Sequence, residues 1–152
     1  MSAYFFDSSA LTKAYVQETG SAWVQSLMEP IANHELYVSR LVGVEVTSGL
    51  VRHVPAISPS TLAAGLADLH HDLANTLDVI ELSVGQSEEA MEFVERRKLR
   101  AYDAVHLACA LEVDRLRKST QASPLILVSA DLALNAAARA EGLQVEDPNQ
   151  HP

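Results

Sequence analysis

The feature that most constrains this fold is the alternation of short apolar segments with longer segments of helical periodicity. The clearest short segments, residues 4–6 and 125–129, are almost continuously apolar instead of alternating polar with apolar residues. Continuous apolar character indicates strands that are buried on both faces, as in a parallel sheet between two layers of helices. The pattern therefore predicts an α/β fold with helices on both faces of a parallel sheet.

Capping and turn residues divide the chain into elements. Ser8 and Ser9 offer N-cap hydroxyls, Ser58 precedes a proline at a first helical position, and Gly142 suits a helix C-terminus. We expect strands at residues 4–6, 35–39, 78–83, 125–129 and 143–146. We expect helices at residues 10–16, 21–28, 40–53 (closed by Pro55), 58–77, 87–97, 102–118 and 132–141.

Composition bounds the size and the compartment. A chain of 152 residues with 48% apolar residues suits one domain with a substantial core, which we place at residues 1–148 before a frayed tail at 149–152. No run approaches the roughly 20 apolar residues of a membrane helix, and no secretory signal pattern begins the sequence. Cys109 has no partner for an intrachain disulfide and is expected to be a small buried hydrophobe. These features favour a cytoplasmic protein with no membrane partner.

The net charge of −9 argues at first against a nucleic-acid partner, because phosphate binders usually carry a basic face. The basic residues are grouped, however. One group comprises Arg96, Arg97, Lys98 and Arg100, and a second comprises Arg115, Arg117 and Lys118. The first group can either hold RNA phosphates or form a solvated helix end. The second group is expected to be structural. Because the basic residues are grouped, the negative net charge does not exclude a nucleic-acid partner.

Acidic residues occur where a parallel sheet places its sites, beyond the carboxyl ends of the strands. Asp7 follows the first strand, Asp131 follows the fourth by two residues, Asp103 begins a helix, and Glu45 lies in the helix that leaves the second strand. Asp7, Asp103 and Asp131 could each simply stabilise a helix N-terminus. Glu45 has apolar neighbours, so it either reaches solvent or pairs with a positive group inside a cleft. We expect the four carboxyl groups to converge.

Clustered carboxylates repel one another, so such a group persists only with retained protons or a bound cation. Oxygen ligands without histidine or cysteine favour Mg²⁺ or Mn²⁺ over zinc. Such an ion polarises a phosphoryl oxygen and lowers the pKa of bound water, which suits phosphodiester hydrolysis. One or two ions would be compatible with these spacings.

Four motifs in order then resemble those of PIN-domain proteins, over about residues 3 to 148. They are residues 6–13 (FDSSALTK), Glu45, residues 102–108 (YDAVHLA) and residues 128–131 (VSAD). Residues 136–138 (AAA) and 141–145 (EGLQV) are similar to the family as well. Length and motif order most resemble the VapC toxins of bacterial and archaeal toxin–antitoxin pairs.

The resemblance implies a five-stranded parallel sheet, dependence on Mg²⁺ or Mn²⁺, and endonucleolytic cleavage of RNA. It also implies a homodimer and a VapB-type antitoxin whose C-terminal segment wraps the toxin and blocks the site. By position, the catalytic and metal-binding acids are Asp7, Glu45, Asp103 and Asp131, the last of which often contacts metal through water in the family. Ser9 and Ser129 match hydroxyl positions that support the first and fourth acids.

Further residues have two interpretations each. His106, three residues after Asp103, is either a general base or, as we prefer, a structural histidine hydrogen-bonded near the site. The apolar stripe of Leu62, Leu66, Leu69, Leu73 and Leu77 is expected to be core, with part of it open to the antitoxin. Tyr15 and Trp23 are candidates for the same groove, although core packing is favoured.

The residues do not suit two other functions of an acidic site at strand ends. A phospho-acceptor receiver domain needs an acidic pair after the first strand, an acceptor aspartate after the third and a lysine after the fifth, and none is present. A haloacid-dehalogenase-type phosphatase needs a second aspartate where Ser9 stands. The remaining alternative is a catalytically weak PIN fold that binds RNA or protein.

Overall fold

A computed structural model describes residues 1–52 and 56–152 of the chain. Within those residues five parallel strands form one sheet, with the order β3-β2-β1-β4-β5. The strands are β1 (Ala3–Phe6), β2 (Glu35–Ser39), β3 (Asp78–Ile80), β4 (Leu125–Val128) and β5 (Gln144–Glu146). The helices are α1 (Ser8–Leu11), α2 (Ser21–Met28), α3 (Val42–Arg52), α4 (Pro59–Asn75), α5 (Val84–Arg97), α6 (Ala101–Ser119) and α7 (Leu132–Ala140). The predicted parallel α/β sheet is confirmed.

The order of the strands reverses at the central strand β1. Ala3 pairs with Glu35 of β2 on one side and with Leu125 of β4 on the other. The chain first builds outward through β2 and β3, and later returns to add β4 and β5 on the opposite side. A crevice opens beyond the carboxyl ends of strands at such a switch point, which is where open α/β sheets bind ligands.

Two apolar cores cover the two faces of the sheet. Successive residues of β1 contribute to different cores: Phe5 packs with α5, α6 and α7, whereas Phe6 packs with α1 to α4. Side chains of a strand alternate between faces, so a strand with a core on each side must be apolar throughout. This is why the β1 segment lacks alternation. Cys109 is fully buried in the first core, as predicted.

The predicted leucine stripe packs against the second core, with four of its leucines on α4 and Leu77 after the helix, which ends at Asn75 instead of residue 77. Leu69 and Leu77 are buried, and Leu62, Leu66 and Leu73 are partly buried against the same cluster. Tyr15 and Trp23 are also partly buried there. The predicted core role of the stripe is therefore confirmed. In the part of the chain that the structure describes, no helix has the length and apolarity that crossing a membrane requires.

The start of α1 differs from the prediction. The N-cap is Asp7, whose Oδ1 accepts a hydrogen bond from the Ala10 amide at 2.9 Å, and the helix begins at Ser8. The expected caps, Ser8 and Ser9, lie inside the helix, which ends at Leu11 and continues as a 3-10 turn, Thr12–Ala14. A carboxylate one residue earlier satisfies the same amide, so the hydroxyl of Ser9 is available for the site.

The junction of β3 and α5 also lies earlier than predicted. β3 ends at Ile80, and α5 begins at Val84 instead of residue 87. A capping box explains this start, because Ser83 Oγ accepts from the Gln86 amide at 3.1 Å and Gln86 Oε1 accepts from the Ser83 amide at 2.8 Å. The predicted strand end at residue 83 was therefore wrong. The predicted end of the third helix at residues 53–55 lies outside the described residues.

The C-terminal residues, for which the sequence suggests fraying, make definite contacts. A 3-10 turn spans Pro148–Gln150, and the His151 ring stacks on Trp23 with centroids 4.0 Å apart. Gly20, at the start of α2, has φ +85°, and a Cβ there would lie 2.2 Å from the Pro148 carbonyl oxygen. Only glycine permits both this backbone conformation and this close approach of the tail.

Candidate active site

One cavity of about 340 Å³ lies at the carboxyl ends of the central strands. All four predicted acids line it, each from a different junction: Asp7 after β1, Glu45 in the first turn of α3, Asp103 in the first turn of α6, and Asp131 before α7. Its other lining residues are Ser8, Ser9, Arg100, Ala101 and Tyr102. The fold thus brings together side chains that are up to 124 positions apart in sequence.

Asp7 is buried and held by several donors. It is 1% exposed, and its carboxylate accepts from Ser9 Oγ at 2.8 Å, from Ser129 Oγ at 2.8 Å and from the Ala10 amide at 2.9 Å. Burial raises its pKa above the usual value, and nearby His106 and these hydrogen bonds oppose the rise. The carboxylate therefore has a fixed orientation at the floor of the cavity.

The two predicted supporting serines join the two halves of the site. Ser9 Oγ accepts from the Ala130 amide at 2.9 Å, and Ser129 Oγ accepts from the Asp131 amide at 3.0 Å. Each hydroxyl thus contacts Asp7 as donor and the loop after β4 as acceptor. Asn135, which we did not predict, donates to the Ser129 carbonyl at 2.8 Å and braces that loop from α7.

Asp131 both caps a helix and lines the acidic cavity. Its Oδ1 accepts from the Leu134 amide at 2.8 Å and so caps α7, while the residue also lines the cavity. Asp7 combines the two roles in the same way at α1. Helix capping and membership of the acidic cluster, which the sequence alone presents as alternatives, are compatible for both residues.

Glu45 is paired inside the cleft instead of reaching solvent. Its Oε2 lies 3.2 Å from His106 Nε2, and His106 Nδ1 lies 3.0 Å from Ser39 Oγ. His106 is fully buried. Burial favours the protonated form of Glu45, but the hydrogen bond and charge of His106, with a contact from Ser8, together lower its pKa. A neutral imidazole that donates from Nε2 to the carboxylate accepts the Ser39 hydroxyl at Nδ1, whereas an imidazolium donates from both nitrogens.

This bridge has the geometry of a structural histidine. His106 contacts Glu45 and Ser39, and its full burial leaves no surface for a substrate. Glu45 Oε1 is buried without a hydrogen-bond partner among the described residues. Ser39 was not predicted, although its place as the last, polar residue of a strand leading to the site was a visible signal.

The ionised form of Asp103 is destabilised by burial and by the neighbouring acids. Its pKa is raised from 3.8 to about 6, first by burial and then by the charges of Asp131 and Asp7. Glu45 adds to the rise and His106 opposes it. No hydrogen bond to the Asp103 carboxylate occurs within residues 1–52 and 56–152. A carboxylate without donors and beside other acids is stabilised by a proton or by a cation.

The donor chemistry of the cavity fits a hard divalent cation. Its acids supply only oxygen, Asp103 is electrostatically destabilised as an anion, and Glu45 Oε1 is a buried acceptor without a donor. The arrangement does not enclose an ion as it stands: among the described residues, no three His, Cys, Asp or Glu side chains form a group that could hold a metal. Binding would therefore require the side chains to draw closer.

The predicted basic groups separate in space. Arg100 is exposed and lines the acidic cavity. Arg96 and Arg97 both bind Glu141 Oε1, through contacts of 3.1 Å and 2.8 Å, and Lys98 ends α5 in the left-handed conformation at φ +58°. Only Arg100 of the four is thus placed in the wall of the cavity.

The second basic group is structural, as predicted. Arg117 is 9% exposed, and its Nε donates to the Ser123 carbonyl at 2.8 Å. Arg115 pairs with Glu89 and Glu112, and Lys118 Nζ lies 2.6 Å from Asp114 Oδ2. The contacts with Glu89 and Ser123 tie the C-terminal half of α6 to α5 and to the segment before β4, whereas those with Glu112 and Asp114 lie within α6 itself.

Comparison with known proteins agrees with this architecture. The family model of the PIN domain matches residues 4–140. Among solved structures, PAE2754 from Pyrobaculum aerophilum is similar, with a TM-score of 0.63 and 19% identity over 99% of this chain and 92% of that chain. No curated protein sequence matches this chain significantly.

Two further structural neighbours belong to toxin–antitoxin systems. VapC20 of Mycobacterium tuberculosis, described as a toxin that cleaves the sarcin–ricin loop, has a TM-score of 0.61 and 18% identity, covering 88% of this chain and 94% of that chain. VapBC2 of Rickettsia felis, solved with promoter DNA, has a TM-score of 0.60 and 16% identity, covering 95% of this chain and 98% of that chain. At these identities the similarity shows a shared fold.

Proposed function

The chain belongs to the PIN domain family, and on that premise we propose that it is a metal-dependent endoribonuclease acting as the toxin of a toxin–antitoxin pair. The observation that carries the proposal is the convergence of Asp7, Glu45, Asp103 and Asp131 on one cavity. An uncharged residue could replace Asp7 and Asp131 as helix caps, and Glu45 and Asp103 lie within first helical turns and cap no helix, so capping gives the four acids no shared purpose. Phosphodiester hydrolysis in a carboxylate-lined cleft would give the four acids a shared purpose.

The residues that line the cavity would have different roles in the reaction. Asp7, Glu45 and Asp103 would hold the cation, with Asp131 contacting it through water. Bound Mg²⁺ or Mn²⁺ supplies Lewis acidity to a phosphoryl oxygen and lowers the pKa of a water molecule. The serine hydroxyls keep the Asp7 carboxylate in place, and the Glu45–His106 contact fixes one oxygen of Glu45 while leaving the other open. Arg100 at the wall would bind a phosphate of the RNA.

Solved structures with the same fold support the biological role that we propose. One structural relative is described as an RNA-cleaving toxin, and others are toxin–antitoxin complexes. We therefore propose a VapB-type antitoxin and a homodimeric toxin as partners for this chain. The cytoplasm is the compartment in which both its RNA and such an antitoxin would be encountered.

A second function has one observation in its favour. No ready metal-holding group exists within residues 1–52 and 56–152, as expected for a PIN fold that binds RNA or protein with little catalysis. Calorimetric titration with Mn²⁺ separates the two functions. A nuclease binds the ion with an affinity that Asp103→Asn lowers, whereas a binding module gives no heat in either protein.

Cleavage of RNA by the purified protein tests the main proposal. Wild-type protein should cut RNA with Mg²⁺ or Mn²⁺ and stop when the ion is chelated, and Asp7→Asn should abolish cutting while circular dichroism shows a folded protein. Asp78→Asn, at an exposed aspartate at the start of β3, is the matched control and should cut normally. Undiminished cleavage by Asp7→Asn would falsify the mechanism.

A further inference from the structure

A second cavity of about 330 Å³ adjoins the acidic one. Both cavities are lined by Ser8, Ser9 and Glu45, so these residues form a shared wall. The other lining residues of the second cavity are Thr12, Lys13, Glu18, Gly49 and Ala130. We call these two adjoining cavities the cleft. Beyond the shared wall, the described lining of its second part contains no predicted catalytic residue.

Lys13 is the one cation among the described residues that line this second cavity. It follows α1 directly in the 3-10 turn, is only 5% exposed, and its Nζ lies 3.3 Å from Glu18 Oε2. An ammonium group has three N–H donors, and the Glu18 contact is its single protein hydrogen bond within the described residues. A buried cation with spare donors beside open space suits an additional anionic acceptor.

The two cations of the cleft lie in different parts of it. Arg100 lines the acidic cavity and Lys13 lines the adjoining one, with Ser8, Ser9 and Glu45 in the wall that both share. A polynucleotide that enters a cluster of carboxylates is repelled unless its phosphates meet cations on the way in and out. Positive groups in both parts of the cleft meet that requirement for one strand.

Small residues leave room for such a strand at Lys13. Gly49 of α3 lines the second cavity, and a Cβ at this position would meet only Thr12 Oγ1, at 4.0 Å. Ala130 lines it from the loop after β4. Thr12 Oγ1 donates to the Ser8 carbonyl at 2.7 Å, so this hydroxyl is already engaged and Lys13 is left as the anion-binding group.

We propose that Lys13 forms a second phosphate-binding subsite, which holds the backbone of the single-stranded RNA beside the nucleotide whose bond is cut. This inference rests on the proposed ribonuclease function. Lys13 is a binding residue, placed to hold the strand across the acids, and Glu18 is its partner when RNA is absent. The opposing interpretation is that the Lys13–Glu18 pair only ties the 3-10 turn to the segment before α2.

RNA binding separates the two interpretations, measured in an Asp103→Asn background so that the strand stays intact. Fluorescence polarisation with a labelled oligoribonucleotide gives Kd over a range of salt concentrations. Lys13→Gln should weaken binding about tenfold, as for one charge-assisted hydrogen bond. It should also lower the slope of log K against log salt by roughly 0.7, the value for one phosphate contact with a single strand. Lys13→Arg should retain most of the affinity.

Glu18→Gln is the matched control, because it removes the same ion pair and keeps the cation. It should bind RNA at least as tightly as the parent protein. If Glu18→Gln loses as much affinity as Lys13→Gln, Lys13 acts through the ion pair and the subsite is overturned. Should Lys13→Gln fail to fold, Gly49→Met fills the cavity without removing a charge; normal RNA binding by folded Gly49→Met would overturn the proposal equally.

Cleavage assays keep failure of the subsite distinct from failure of the proposed function. In the otherwise wild-type protein, Lys13→Gln should raise KM for RNA about tenfold and change kcat little. Normal cutting by wild type together with unchanged KM in Lys13→Gln overturns the subsite alone. No cutting by wild type overturns the nuclease function, whereas the RNA-binding measurements still decide on Lys13.

Discussion

Replacing Asp103 by asparagine should stabilise the metal-free protein at neutral pH. Burial and the charges of Asp131 and Asp7 raise the pKa of Asp103 from 3.8 to about 6. The folded state therefore binds a proton more tightly than the unfolded state does, and stability falls as pH rises from about 4 to about 6. Above that window the full penalty is present, and below about pH 4 it is absent. An asparagine side chain is neutral, so the Asp103→Asn variant has no such penalty at any pH.

The size of the effect follows from the pKa difference. A pKa difference of one corresponds to about 1.4 kcal/mol, so the rise in the pKa of Asp103 corresponds to roughly 3 kcal/mol. Asp103 is only half-buried, and solvent screening reduces this figure to about 1–2 kcal/mol. For 152 residues the unfolding entropy is about 0.3 kcal/mol per kelvin, so Asp103→Asn should raise Tm by about 3–6 °C.

Calorimetry of both proteins in EDTA at about pH 8 and about pH 4 measures this difference, since the two values lie on either side of the window. Asp103→Asn should unfold at the higher temperature in the alkaline buffer, and the advantage should shrink markedly in the acidic one. Adding Mg²⁺ in the alkaline buffer should stabilise wild type more than the variant, because the cation offsets the same repulsion. Asp78→Asn, with its exposed carboxyl group, should show no comparable gain. An Asp103→Asn protein that is less stable than wild type in the alkaline buffer would refute the electrostatic reasoning.

Three further predictions test individual contacts of the site and of the fold. His106→Leu should weaken Mn²⁺ binding about ten- to a hundredfold in calorimetric titration, with partial recovery in His106→Gln, which keeps an N–H donor; equal affinities would contradict its positioning role. Asp131→Ala should be about 1 kcal/mol less stable to urea than Asp131→Ser, because both lose the carboxylate and only Ser keeps the cap of α7. Gly20→Ala should lose more stability in urea unfolding than Gly142→Ala, by at least about 1 kcal/mol. Both glycines have positive φ, but only a Cβ at Gly20 meets the Pro148 carbonyl, so equal losses would exclude that contact as the cause.

The parts of the fold that were predictable depend on local patterns. The apolar segment of β4 needs a core on each face, and that requirement is visible without knowledge of its neighbours. Asp7 directly follows β1 and Asp131 lies three residues after β4, so their meeting at one edge was inferable from strand positions alone. The capping box of α5 was visible too, since Ser83 and Gln86 have the required spacing of three.

The remaining contacts depend on side chains that are far apart in sequence. From the sequence alone Arg97 resembles an RNA-binding residue. In the fold, Glu141, 44 positions away, binds its guanidinium group. The His106 bridge needs the register of α6 against β2, and no local pattern gives the distance to Ser39. The packing of the C-terminal tail also depends on a contact between distant residues, the approach of Pro148 to Gly20. Such pairings are decided by tertiary packing, which local propensity does not encode.

The four acids of the site fall into two physical classes. Asp7 and Asp131 accept hydrogen bonds from the amides at the start of α1 and α7, which hold their carboxylates in place. Among the described residues, Glu45 and Asp103 accept none from the backbone, and each retains an oxygen without a protein donor. These hydrogen bonds fix the first pair, whereas the Asp103 carboxylate has no donor among the described residues and Glu45 Oε1 is not held by the His106 contact, so this second pair can adjust toward a cation. A cluster that does not enclose an ion at rest can therefore close around one by moving two side chains.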